Sequence, residues 1–306
     1  MDDTSRWSPP PLWRALLVVS RVLIPLFCRL RVTGDVPADL RAGGLILAGN
    51  HIGTFDPFAL IAACARRGLA PRFLATAGLF RAPVFGSVMR RSGHIRVDRR
   101  SATAAHALDA AGAALAAGSH IVAYPEGRIT LDPAMWPERG KTGVARLALS
   151  TGTTVIPVAQ WGAHEVMAWD SPRLMVATML SALWRRPAVR VHFGAPVDLS
   201  GLVSGVPGHA QRATDRVLDA LTGELRALRV DEPGLPRHVD PVRPVSLARA
   251  RRSAPRVPQV RQHGLPGGPH PERVTGLGDA AVGGTQRQEL RGRGRGDRLP
   301  VGEPVE

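Results

Sequence analysis

The chain has 306 residues, a formal charge of +15 at pH 7 and 44% apolar residues. That apolar content excludes a wholly disordered chain, and periodicity holds to about residue 230, enough for one sizeable core. Two cysteines, Cys28 and Cys64, exclude a disulfide framework and a cysteine-rich metal site, and fit a reducing compartment. The positive balance favours an anionic partner: nucleic acid, phospholipid headgroups or a phosphorylated substrate. One tyrosine and seven phenylalanines, with no aromatic–basic interleaving, make nucleic acid the weakest of the three. Of the 40 basic residues, Lys141 is the single lysine.

Residues 12–30 form an apolar segment long enough to suggest a membrane span, but Arg21 near its middle would cost roughly 2.5–3.5 kcal/mol there. On a helix, Arg14, Arg21 and Arg29 fall within an arc of roughly 80°. The segment therefore reads as one basic amphipathic helix, or two short ones around Pro25, lying in a membrane interface; a core-packing helix is the alternative. An acidic start and the lack of a small-residue cleavage site argue against a signal peptide.

Further along, strands are predicted at 31–37, 45–48, 72–76, 95–97, 121–124, 153–160 and 189–193. Helices are predicted at 57–67, 79–91, 102–117, 141–150 and 213–228, with Ser101 capping the alanine-rich one. Alternation of the two predicts an α/β fold with a mixed, mostly parallel sheet flanked by helices. Three parts follow: an interfacial helical segment over 1–32, a catalytic domain over 33–230 and a Pro/Gly/Arg-rich tail over 231–306. The tail reads as disordered and dispensable, with RNA binding by its short Arg-Gly run as the alternative.

Chemistry concentrates at four places. An apolar run ends in Asn50-His51, and Asp56-Pro57 follows after a short turn. Asp56-Pro57 has the form of a helix N-cap followed by proline at the first helical position, so His51 lies in the turn and can fold back onto the carboxylate. Such a carboxylate fixes the imidazole tautomer and leaves the second nitrogen free to take a proton. The plainer readings are a helix cap worth about 1 kcal/mol and a structural histidine. Tyr124-Pro125-Glu126-Gly127-Arg128 is a strand-ending turn that exposes a carboxylate and an arginine, or else a surface ion pair. Gly93-x-Ile95-x-Val97-Asp98-Arg99 carries Arg96 and Arg99 towards a rim, with Arg90, Arg91 and Arg100 nearby, as an anion site or a solvated edge. Val155-Ile156-Pro157 reads as a buried edge or a bulge. No metal-ligand spacing, P-loop or nucleophile elbow is found, and no cofactor is expected.

These four blocks, in this order, resemble those of the 1-acylglycerol-3-phosphate acyltransferase family, over about residues 30–230. Lys141-Thr142-Gly143 also resembles the segment after the family's third block. The resemblance implies a glycerolipid acyltransferase-like fold, with His51 as general base and Asp56 orienting it. It places Arg99 on the acceptor phosphate and Glu126 and Gly127 on the glycerol phosphate, and makes Pro157 shape the acyl side. Asn50, Arg128 and Lys141 complete the expected substrate site, with the backbone of residues 50–53 as oxyanion donor. The implied reaction moves a fatty acyl group from acyl-CoA or acyl carrier protein to the free hydroxyl of a lysophospholipid, first of all 1-acylglycerol 3-phosphate. Glycerol 3-phosphate, another lysolipid, or non-catalytic lipid binding are the alternatives. The expected partner is a membrane phospholipid surface on the cytoplasmic side of the cell membrane, approached peripherally or monotopically, with no nucleic acid. The pattern departs in lacking a threonine between Gly127 and Arg128, in Gly53 where many relatives carry serine, and in lacking a lysine near Ala77.

Overall fold

The computed structural model describes residues 7–98, 104–169, 171–230 and 243. The expectations for Arg99, Arg100 and Ser101, and for the tail apart from Arg243, concern residues outside these ranges. Among the described residues lie seven strands: β1 (Arg29–Gly34), β2 (Leu45–Gly49), β3 (Arg72–Thr76), β4 (Ile95–Val97), β5 (His120–Ala123), β6 (Val155–Trp161) and β7 (Ala188–Phe193). Between them run α1 (Pro11–Phe27), α2 (Asp56–Arg66), α3 (Ala77–Arg81), α4 (Pro83–Arg91), α5 (Ala104–Ala116), α6 (Gly143–Thr151), α7 (Pro172–Arg185) and α8 (His209–Leu228).

The strands form a single sheet in the order β1-β7-β6-β2-β5-β3-β4, parallel throughout except between β6 and β7. This is the mixed, mostly parallel sheet that the alternating pattern predicts. β2 is buried at every position, as its unbroken apolar sequence requires of a strand covered on both faces. Leu45 and Leu47 point into the core under α1 and α2; Ile46 and Ala48 point into the opposite core under α5, α6 and α8. α8 presents Ala213, Val217, Leu218, Leu221 and Leu225 at helical spacing and covers β6.

Three expectations change. The amphipathic segment is one helix that runs through Pro25, and Arg29 lies on β1 rather than on the helix. The boundary drawn at residue 32 thus falls within a strand. Pro157 lies in β6, an interior strand and not an edge; its carbonyl accepts from the Gly194 N–H at the end of the β7 ladder, where a missing amide costs little. Helix α7 went unrecognised, because its apolar residues are spread around the helix instead of forming one stripe.

α1 is docked through a stripe of Trp13, Leu17, Ser20 and Ile24. The Trp13 ring meets His94 edge-on at 4.6 Å, and the His94 Nδ1 accepts the Phe73 N–H. Burial, reinforced by the Arg72 charge, lowers the His94 pKa to about 4. A histidine kept neutral in the folded chain but protonated in the unfolded one stabilises above its ordinary value and loses that contribution as pH falls towards its folded value. Stability is therefore expected to drop between pH 6.5 and about 4, by at most about 3 kcal/mol from this group. In chemical denaturation across that range, His94→Asn should flatten the slope; an unchanged slope would show that other groups set it.

Candidate active site

β2, β5 and β6 lie side by side and parallel, so their carboxyl ends open onto one rim. The turn after β2 carries His51, and its geometry is set by Asp56. The Asp56 Oδ2 accepts the His51 Nδ1 at 2.8 Å, the Gly53 N–H at 2.8 Å and the Ile52 N–H. Asp56 is fully buried, whereas the His51 side chain is 17% exposed. The His51 Nε2 has no hydrogen-bond partner among the described residues, so it is the nitrogen available to a ligand.

The helix-cap expectation for Asp56 is corrected here. α2 starts at Asp56 itself, with Phe55 as its N-cap residue and no side-chain cap. The carboxylate instead turns back onto the amides of the preceding turn. That same bonding corrects the oxyanion expectation: the N–H of His51 donates to the Glu126 Oε1 at 3.2 Å, and those of Ile52 and Gly53 are held by Asp56. Three of the four amides assigned to an oxyanion are thus already engaged.

The floor of the site is a buried polar lattice. The Asn50 Nδ2 donates to the Gln160 carbonyl at 3.0 Å, its Oδ1 accepts the Gln160 N–H at 2.8 Å, and its own carbonyl accepts the Gln160 Nε2 at 2.7 Å. Asn50 therefore continues the β2–β6 ladder with side-chain groups. Tyr124 stacks on His51, with ring centroids 4.3 Å apart and planes 19° from parallel. Gly49 makes room for it, since a Cβ there would lie 3.1 Å from the tyrosine ring. Burial, with the Asp56 charge nearby, raises the Tyr124 pKa well above its usual value, so the phenol stays neutral.

The loop from β5 to α6 closes the second side. Glu126 is buried, not exposed as the turn suggested: its Oε1 holds the His51 N–H and its Oε2 the Glu138 N–H. Gly127 takes φ 71°, a backbone conformation that glycine adopts without a Cβ clash. Arg128 reaches both Glu138 oxygens through Nη2, at 3.2 and 3.0 Å, so it pairs with Glu138 rather than Glu126. Lys141 is exposed and its stem passes beside Gly127. The Thr130 N–H donates to the His51 carbonyl at 2.7 Å.

His51, Asp56, Asn50, Glu126 and Gly127 are thus brought together. Pro157 is not at the rim: it pairs with Ala48, three residues before His51, or about 10 Å back along the sheet. Arg96 pairs with Asp98 at 2.8 Å, and Arg90 donates to the Phe80 carbonyl, so neither forms an open anion site. Gln160, Thr130, Glu138 and the stacking role of Tyr124 were missed. Gln160 alone left a signal, as a polar residue near the end of an otherwise apolar strand. A side chain at Gly53 would come within 3.4 Å of the His164 Cα, so the departure there matches a tight contact. No cluster of three or more histidine, cysteine or acidic side chains suited to a metal occurs among the described residues.

The class defined by this sheet and a histidine–carboxylate pair at its rim agrees with the comparisons. Residues 29–161 of this chain match the family model described as Acyltransferase. Its fold is similar to the crystal structure of the 1-acyl-sn-glycerophosphate (LPA) acyltransferase PlsC from Thermotoga maritima, at a TM-score of 0.53 and 20% identity over 71% of this chain and 79% of that one. No curated protein matched the sequence.

Asn50→Ala should strand the Gln160 N–H and C=O in the interior. At about 1–3 kcal/mol for each buried unpaired group, a destabilisation of roughly 2–6 kcal/mol is expected, read as a lower urea midpoint at constant slope. A midpoint equal to wild type would show that the ladder does not depend on this side chain.

Proposed function

We propose that this acyltransferase moves a fatty acyl group from a thioester, acyl-CoA or acyl carrier protein, to the free hydroxyl of 1-acylglycerol 3-phosphate, giving phosphatidic acid. The observation that carries the reading is the His51–Asp56 pair with Nε2 open at the rim. His51 takes the hydroxyl proton at Nε2 as the oxygen attacks the thioester carbonyl. Asp56 stabilises the imidazolium through Nδ1. The tetrahedral intermediate collapses, the C–S bond breaks, and the departing thiolate takes the proton from Nε2. General-base help of this kind is worth about 10²–10⁴-fold. Donors for the oxyanion come from groups other than the amides of residues 51–53, which are engaged.

On this reading the acceptor phosphate meets Arg128, Lys141 and Arg99, with Arg99 outside the described residues. Lys141 offers an exposed point charge; Arg128 would exchange part of its Glu138 pairing for the phosphate. Glu126 supports the glycerol phosphate site through the His51 amide and the loop, and Pro157 supports the acyl side from within the sheet. The neighbour from Thermotoga maritima is titled an LPA acyltransferase, which favours this acceptor over glycerol 3-phosphate or another lysolipid. Neither a cofactor nor a metal enters the scheme.

A phospholipid surface as partner is supported by two helices. No helix among the described residues is long and apolar enough to cross a membrane. Yet α1 exposes Val18, Val19, Val22, Leu23 and Leu26, and α7 exposes Val176, Leu180 and Trp184, the last at 81%. The two helices pack together, Arg186 donating to the Pro25 carbonyl at 2.8 Å, and neither contains an acidic residue. An apolar, acid-free face bordered by arginines suits an anionic bilayer, with Trp184 at the headgroup level. It supports peripheral or monotopic attachment at the cytoplasmic side of the cell membrane.

His51→Ala should lower kcat by about 10²–10⁴-fold with the circular dichroism spectrum unchanged. Near-normal turnover would end the general-base scheme. A panel of acceptors with radiolabelled acyl-CoA should give the highest kcat/KM for 1-acylglycerol 3-phosphate; preference for another acceptor would reassign the substrate and leave the chemistry intact. Trp184→Ala should weaken sedimentation with anionic vesicles by about tenfold, the equivalent of losing one interfacial aromatic. Unchanged partitioning would remove α7 from the membrane face.

A further inference from the structure

Arg243 stands in the segment set aside on sequence as a dispensable tail, yet it is 2% exposed and lies against the catalytic turn. Its Nη1 donates to the Thr130 carbonyl and its Nη2 to the Ile52 carbonyl, both at 2.6 Å. Ile52 directly follows His51, and its N–H is one of the donors to Asp56. Thr130 holds the His51 carbonyl through its own N–H. The guanidinium therefore ties together the two segments between which His51 is suspended. Its carbon lies 5.1 Å from the centroid of the Trp169 ring.

The chemistry asks for an arginine. A planar fork can donate to two carbonyls at once, whereas an ammonium offers a single point of charge. Burial of an always-charged group is costly unless carbonyl oxygens and a ring face surround it, as they do here. Without it, the carbonyls of Ile52 and Thr130 lose a buried partner, and the link from the residue after His51 to the β5–α6 loop is lost.

We propose that Arg243 is a positioning residue for the acyl transfer assigned above: it clamps the His51 turn to the β5–α6 loop and so fixes the aim of the general base. The proposal rests on that assignment. Residues 231–306 are then not dispensable, contrary to the sequence reading, because one of their side chains completes the support of the site.

The test uses the full chain. Arg243→Ala is expected to lower kcat by about 10²-fold, the effect of a displacement of about 1 Å, while KM for donor and acceptor stays within about twofold. Methylguanidinium added at millimolar concentration should restore part of the lost kcat, and methylammonium should not. Arg243→Lys should retain the melting temperature and still lose kcat, and it carries the test if the alanine variant does not fold. Wild-type kcat in either folded variant, or a loss that appears only in KM, overturns the clamp. Site-resolved labelling of His51 by diethyl pyrocarbonate separates this proposal from the reaction itself. Faster labelling in the variants supports the clamp even if the wild-type chain acylates no lysophospholipid, and equal labelling rates overturn it.

Discussion

One oxygen atom, the Oδ2 of Asp56, receives the His51 ring, the Ile52 amide and the Gly53 amide together. The rest of the site follows from that convergence. A fully buried carboxylate is tolerable only where several donors meet it, and a five-residue turn provides them without help from a distant part of the chain. The same bonds give the imidazole its tautomer and its direction. Structure and chemistry at Asp56 are one arrangement, since the bonds that shape the turn are the bonds that orient the histidine.

Around this turn the sheet supplies rigidity. Parallel neighbours on either side of β2 bring the β5 and β6 ends to the same level, so each contributes one anchor. Glu126 takes the His51 amide from the β5 side, and Gln160 locks Asn50 from the β6 side. Each anchor is a buried polar group bonded directly to the turn, and such groups lose heavily if that partner is removed. The anchors therefore specify a single conformation for the turn more than they add net stability. Arg229 extends the pattern beyond the turn: it donates to the Ala134 carbonyl and lies 4.2 Å and 3.8 Å from the centroids of Trp136 and Trp161.

The outer face works by different physics. α1 and α7 carry apolar side chains that no part of the described protein covers, and arginines without acidic neighbours on either helix. On the proposed function, the rim would take the charged head of the substrate and the exposed helices would face its apolar chains. α1 also reaches inward through Trp13 to Phe73 and His94, so the face is anchored to the sheet and does not hang from a linker.

The sequence by itself determined the alternation of strands and helices, the apolar run of β2 and the His51–Asp56 pair. These are local properties: burial on both faces demands an unbroken apolar strand, and five residues suffice to fold a carboxylate back onto a ring. Tertiary structure alone decided the rest. Whether Glu126 faces solvent or the His51 amide depends on which strands are neighbours, and Gln160 meets Asn50 across 110 positions of sequence. Pro157 proved to lie in an interior strand and not at an edge for the same reason, since strand order is set by pairing. Arg243 shows the limit most clearly. Nothing in its neighbouring residues distinguishes it from other arginines in a proline- and glycine-rich segment, and only the fold brings it to the carbonyls of Ile52 and Thr130.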